Sequence, residues 1–147
     1  LPNCPSLQAG LSDVIAGQET EDGFAVLKTL GDALADTKLE GLDLSENALG
    51  PKGVAACSAA FGADLKTLRM CNNGLSAGAM EKLRDLLFKA AEKDGSLSIR
   101  KLHFHNNLAD VQGASAAAEV VKKCPLLEDF RYSSMRAYQD GSSAVVE

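Results

Sequence analysis

An α/β fold built from stacked repeats is the class this sequence predicts, and three observations carry the prediction. A nine-residue pattern, L-x-x-L-x-L-x-x-N, recurs in LEGLDLSEN (39–47), LKTLRMCNN (65–73) and IRKLHFHNN (99–107). Between the copies, apolar residues return at three- or four-residue steps, as on a helix with one buried stripe. Finally, 5% aromatic residues and no Trp in 147 residues leave Leu, Val and Ala to fill the interior. Such a light core suits repeats that touch only their neighbours.

The pattern is that of a leucine-rich repeat, each unit being strand, loop, helix. Stacking predicts a right-handed, ribonuclease-inhibitor-like crescent, a solenoid with parallel strands on the concave face and helices on the convex face. In chain order, a degenerate first copy is expected near LSDVIAG (11–17), then a helix with the stripe Phe24, Leu27, Leu30 and Leu34. The first full copy is anchored by Leu39, Leu42 and Leu44; Pro51 suits the first turn of a helix burying Val54, Cys57 and Phe61. The next is anchored by Leu65, Leu68 and Met70, with Ser76 as N-cap of a helix carrying Met80, Leu83, Leu87 and Ala90. An insertion around KAAEKDGS (89–96) precedes Ile99, Leu102 and Phe104. Asp110 then caps a helix with Ala114, Ala117, Val121 and Cys124, stopped by Pro125; its small residues permit close approach to the neighbouring helix. A last copy, LEDFRYSSM (127–135), keeps Leu127, Phe130 and Tyr132 but has Met135 in place of Asn. Anchor spacings of 26, 34 and 28 residues fit the long repeat class. Residues 1–147 thus read as one domain of about five repeats, incomplete at one or both ends.

Alternation along each strand assigns faces. With Leu42 and Leu44 inward, Asp43 points to the concave surface, as do Arg69, His103 and Arg131 at equivalent positions. Asn47, Asn73 and Asn107 are framework, because a buried amide satisfies loop backbone groups that stacking leaves unpaired. Glu46, Asn72 and Asn106 precede them on the loops leaving the strands and are not required by that ladder. Loops on a rigid scaffold are where function is usually placed.

Charge and motifs narrow the function. A net charge of −5 with no basic stripe argues against nucleic acid and anionic membranes, and no apolar run approaches the roughly 20 residues of a membrane span. Cys4, Cys57, Cys71 and Cys124 are widely spaced and read as reduced small hydrophobes. With no G-x-S-x-G, no phosphate loop and no H-E-x-x-H, no independent active site is expected. His103 and His105 share one strand face near Cys71, but a polar concave surface accounts for them without a metal.

The segments LSDVIAGQ (11–18), LDLSENALGPKGV (42–54), LRMCNNGLSAGA (68–79), LHFHNNLADVQGA (102–114) and CPLLEDFRYSS (124–134) resemble the leucine-rich-repeat domain of the Ran GTPase-activating protein family, most nearly its plant-type branch. The resemblance implies a protein that binds the small GTPase Ran and accelerates GTP hydrolysis inside it. No arginine finger is implied; instead Asn72, first in the N-N-G-L loop, is implied to position the glutamine of the GTPase. One position departs from the family: Gln18 stands in AGQ (16–18) where Arg is usual, and it lacks the charge and forked donors of Arg. The candidate site is therefore Asn72 in the catalytic role, with Gln18, Asp43, Glu46, Arg69, Asn106 and Arg131 as partner-binding positions, and neither cofactor nor metal. The expected partner is a Ran-like GTPase. The alternative is a non-catalytic scaffold or accessory subunit within a larger protein assembly. A cytoplasmic or nuclear-envelope location follows from the resemblance alone, with organelle import left open.

Overall fold

The computed structural model describes residues 6–135. Strand β1 (Leu7–Gly10) is followed by α1 (Thr20–Leu34), β2 (Leu39–Asp43) and α2 (Gly50–Ala56) with a short 3-10 turn (Ser58–Ala60). Then come β3 (Thr67–Arg69), α3 (Ala77–Ala90), β4 (Lys101–His103), α4 (Asp110–Lys122) and β5 (Asp129–Arg131). The five strands form one sheet in chain order, every neighbouring pair parallel. Parallel neighbours require a crossover, and each helix supplies one. Successive helices pack on one another, α1 on α2, α2 on α3 and α3 on α4. The arrangement is consistent with a leucine-rich-repeat-like fold.

The register follows the repeat pattern residue for residue. Leu42, Leu68, Leu102 and Phe130 are direct partners across β2 to β5. Leu42, Leu44, Leu68, Met70, Leu102 and Phe104 are all buried, forming a continuous core with Leu27, Val54, Met80, Leu83 and Leu87 from the helices. The repeat amides bind the loops together. Asn47 Oδ1 accepts from Val14 N at 2.9 Å, Asn73 Oδ1 from Asn47 N at 2.8 Å, and Asn107 Oδ1 from Asn73 N at 3.0 Å. Each is essentially fully buried, so each saves loop N–H groups from being stranded in the core. Met135 is buried in the corresponding place and carries no such acceptor.

Local signals account for the element boundaries. Pro51 lies in the first turn of α2, and Ser76 Oγ accepts from Ala79 N at 3.4 Å. Asp110 caps by a different geometry: it is the first residue of α4, with φ +45°, and its Oδ1 accepts from Gln112 N at 3.0 Å. The small-residue helix does approach closely: a Cβ on Gly113 would lie 3.4 Å from Ala77 Cα. The long spacing before β4 comes from α3 running to Ala90 and the turns that follow it.

Three expectations need correction. The first repeat begins earlier than its sequence suggests: β1 at Leu7–Gly10 pairs Ala9 with Leu42 and Gly10 with Asp43, and LSDVIAG is the loop after it. Along α1, Phe24, Leu30 and Leu34 are only half-buried; the buried line is Gly23, Leu27 and Gly31, where glycines let Ile15 and Cys57 come close. His105 lies beyond β4 rather than within it. Cys57, Cys71 and Cys124 are free and buried, and Cys4 lies outside the described residues. No helix among the described residues is long and apolar enough to cross a membrane.

Candidate functional site

Backbone geometry singles out one row of loop residues. Beyond the strands, the parallel ladder continues through Glu46 N to Cys71 O, Asn72 N to His105 O, and Asn106 N to Ser133 O, at 3.0, 3.1 and 2.9 Å. At that residue the chain turns left-handed in every repeat: φ is +57° at Asp13, +64° at Glu46, +51° at Asn72, +59° at Asn106 and +54° at Ser134. The turn swings the next residue, Asn47, Asn73 or Asn107, into the core. The row thus has a backbone requirement that the sequence reading did not assign to it, and Asn and Asp tolerate the left-handed region better than other side chains. The side chains remain exposed and meet across repeats. Asn106 Nδ2 donates to Asn72 Oδ1 at 2.9 Å, and Asn72 Nδ2 donates to Glu46 Oε2. Three candidates from three repeats therefore form one hydrogen-bonded chain.

The strand face beside this row is a polar cleft of about 370 Å³. Asp43, Arg69, His103 and Arg131 sit side by side across it, as alternation predicted. Arg69 and Asp43 form a loose ion pair at 3.9 Å. Arg131 Nε donates to Asp129 Oδ1 at 3.1 Å, and His103 Nε2 lies 2.9 Å from Asp129 Oδ2. The Arg131 guanidinium, then His103, hold the Asp129 carboxyl below its ordinary range. His103 lines the cleft but is only 4% exposed, so it is a floor residue rather than an open contact. Cys71 Sγ approaches His105 Nδ1 to 3.2 Å; burial pushes the thiol up, the Ser45 hydroxyl acting in the opposite direction. Among the described residues, no three or more His, Cys, Asp or Glu side chains are arranged to hold a metal ion.

A Ran GTPase-activating protein of Xenopus laevis is 30% identical over 128 residues, which is 80% of this chain and 22% of the relative. One from Caenorhabditis elegans is 31% identical over 142 residues, 88% of this chain and 15% of the relative. Another, from Arabidopsis thaliana, is 44% identical over 61 residues, 42% of this chain and 10% of the relative. The chain is similar to Ran GTPase-activating proteins. It spans about a fifth or less of the length of these relatives. No family model matches the chain.

The remaining candidates divide. Gln18 is not part of the hydrogen-bonded row; its Nε2 reaches Val14 O in its own loop at 3.5 Å. It shares a second, smaller hollow of about 240 Å³ with Glu46. Arg69 and Arg131 lie on separate strands with β4 between them, each beside its own carboxylate. Lys101 and Asp129 also line the cleft and were not singled out from the sequence. The signal was available, because each stands two residues before a named position and so shares its face.

Proposed function

We propose that the chain is a stretch of leucine-rich-repeat solenoid, strands concave and helices convex, that docks a Ran-like small GTPase and accelerates its GTP hydrolysis. The observation that carries the reading is the Asn106–Asn72–Glu46 row, found within a region similar to Ran GTPase-activating proteins. Phosphoryl transfer needs little covalent help from protein, so orienting the attacking water is a large part of its catalysis. An exposed amide on a rigid loop can do this indirectly, by holding a glutamine of the GTPase that orients the water. Asn72 takes that part. Glu46, Asn106, Asp43, Arg69, Arg131 and Gln18 make the surrounding contact surface, and 1–147 works as one domain of about five repeats in the cytoplasm or at the nuclear envelope. N-A-L-G-P-x-G-V and N-N-G-L support the family reading, and LEDFR (127–131) with the preceding Cys124–Pro125 supports the finer plant-type branch. The test is single-turnover GTP hydrolysis by Ran with the chain in excess. Acceleration at micromolar chain is expected; a rate equal to that of Ran alone rejects the reading.

One observation favours a second reading, a non-catalytic scaffold in a larger assembly. Gln18 stands where the resembled family usually carries Arg, and its amide reaches a carbonyl of its own loop. Recovery of the chain stably bound in a multisubunit complex that lacks any GTPase would point to this reading.

A further inference from the structure

We infer that Glu46 is a positioning residue that sets the direction of the whole side-chain row and thereby decides which atoms of Asn72 face a partner. This rests on the role proposed above for Asn72. A glutamate carboxylate at neutral pH only accepts hydrogen bonds, whereas a primary amide offers a donor at one end and an acceptor at the other. The atom of Asn72 beside Glu46 must therefore be Nδ2, which turns Oδ1 toward Asn106 and obliges Asn106 to present its own Nδ2. The observed contacts have this sense: Asn72 Nδ2 to Glu46 Oε2, and Asn106 Nδ2 to Asn72 Oδ1 at 2.9 Å. Without the carboxylate, two amides have no reason to prefer one direction.

The direction has a chemical consequence. One N–H of Asn72 is engaged by Glu46 and one lone pair of its Oδ1 by Asn106, leaving one N–H and one lone pair free. That donor and acceptor together match a second primary amide, such as a glutamine or asparagine side chain of the partner. Turning the Asn72 amide over exchanges the two free groups and presents a partner amide with like facing like. The left-handed backbone shared by Glu46, Asn72 and Asn106 fixes where the three side chains start, so the direction of the row is the remaining variable.

The experiment combines polarity-changing variants with two readouts. Glu46→Gln removes the acceptor-only end. Asn106→Asp places an acceptor-only group at the other end, so Asn72 can serve only one neighbour. The double variant Glu46→Gln/Asn106→Asp permits the row in reverse. In the free full chain, the Asn72 side-chain NH2 signals in 15N-edited NMR report whether the amide is held. They are expected to shift and exchange faster in each single variant and to regain protection in the double variant. In single-turnover hydrolysis by Ran, each single variant is expected to lower the saturated rate about three- to tenfold, what one hydrogen bond near solvent contributes. The reversed double variant is expected to stay slow although its row is restored. A purely structural row would regain its rate there, and that result overturns the inference. So do Asn72 NH2 signals indifferent to Glu46→Gln, whether or not Ran responds. If the unaltered chain leaves Ran's rate unchanged while the NMR responses appear as described, the function proposed above fails and the directional row stands.

Discussion

Two adjacent asparagines give the most direct separation of framework from function. Asn73 is fully buried; its Oδ1 accepts from Asn47 N at 2.8 Å and its Nδ2 donates to Leu44 O at 2.9 Å. In Asn73→Ala the Asn47 N–H loses its side-chain acceptor, at about 1–3 kcal/mol for a buried donor left unsatisfied. Leu44 O retains the donor Asn47 Nδ2 at 2.9 Å, so the second lost bond adds only about 1 kcal/mol. The expected loss is about 2–4 kcal/mol, read from urea unfolding followed by circular dichroism with the slope unchanged. Asn72 differs in each respect: it is exposed, its partners are exposed, and its φ of +51° suits glycine. Asn72→Gly should therefore remain within about 1 kcal/mol of the parent, because relief of the left-handed cost offsets the lost surface contacts. A loss below about 1 kcal/mol for Asn73→Ala, or equal losses for the two variants, would refute this division of labour.

Other expectations follow from packing and ionisation. A Cβ on Gly113 would lie 2.6 Å from the Cβ of Ala109, the N-cap of the same helix, so Gly113→Ala should strain the start of α4 and destabilise the fold by about 1–3 kcal/mol, measured by thermal or urea unfolding. Burial pushes Cys57 up to about 12 and Cys124 up to about 11. In a Cys4→Ser background at pH 8, a thiol reagent should label Cys71 first, since it lines the cleft, with Cys57 and Cys124 following only on unfolding. Asp129 is held low by Arg131 and His103 when folded, so its contribution is complete above the unfolded carboxylate value and is lost as pH falls through the folded one. Urea midpoints of Asp129→Asn should lie below the parent near neutrality and converge with it below about pH 4.

Much of the fold was legible because a leucine-rich pattern specifies register as well as element type. Leu42, Leu68, Leu102 and Phe130 could be aligned from the sequence and are direct partners in the sheet. The first strand was not legible, because Leu7–Gly10 carries only Leu7 and Ala9 as apolar residues and Val14 occupies the place of the repeat Asn. Its pairing with β2 supplies what its own sequence lacks. At the site, alternation placed Asp43, Arg69 and Arg131 on one face, but not the covering of His103, which depends on a carboxylate contributed by the next repeat. The row of Glu46, Asn72 and Asn106 was visible as a position, not as a chain. Its left-handed backbone and cross-repeat hydrogen bonds arise only when the repeats stack.

The central claim is that Asn72 acts on a partner rather than on the fold. Single-turnover GTP hydrolysis by Ran, compared between the parent chain and Asn72→Gly at matched saturating concentrations, tests this directly. Acceleration by the parent and loss of most of it in Asn72→Gly are expected, with the unfolding midpoint of the variant close to that of the parent. Acceleration of equal size by both chains would contradict it.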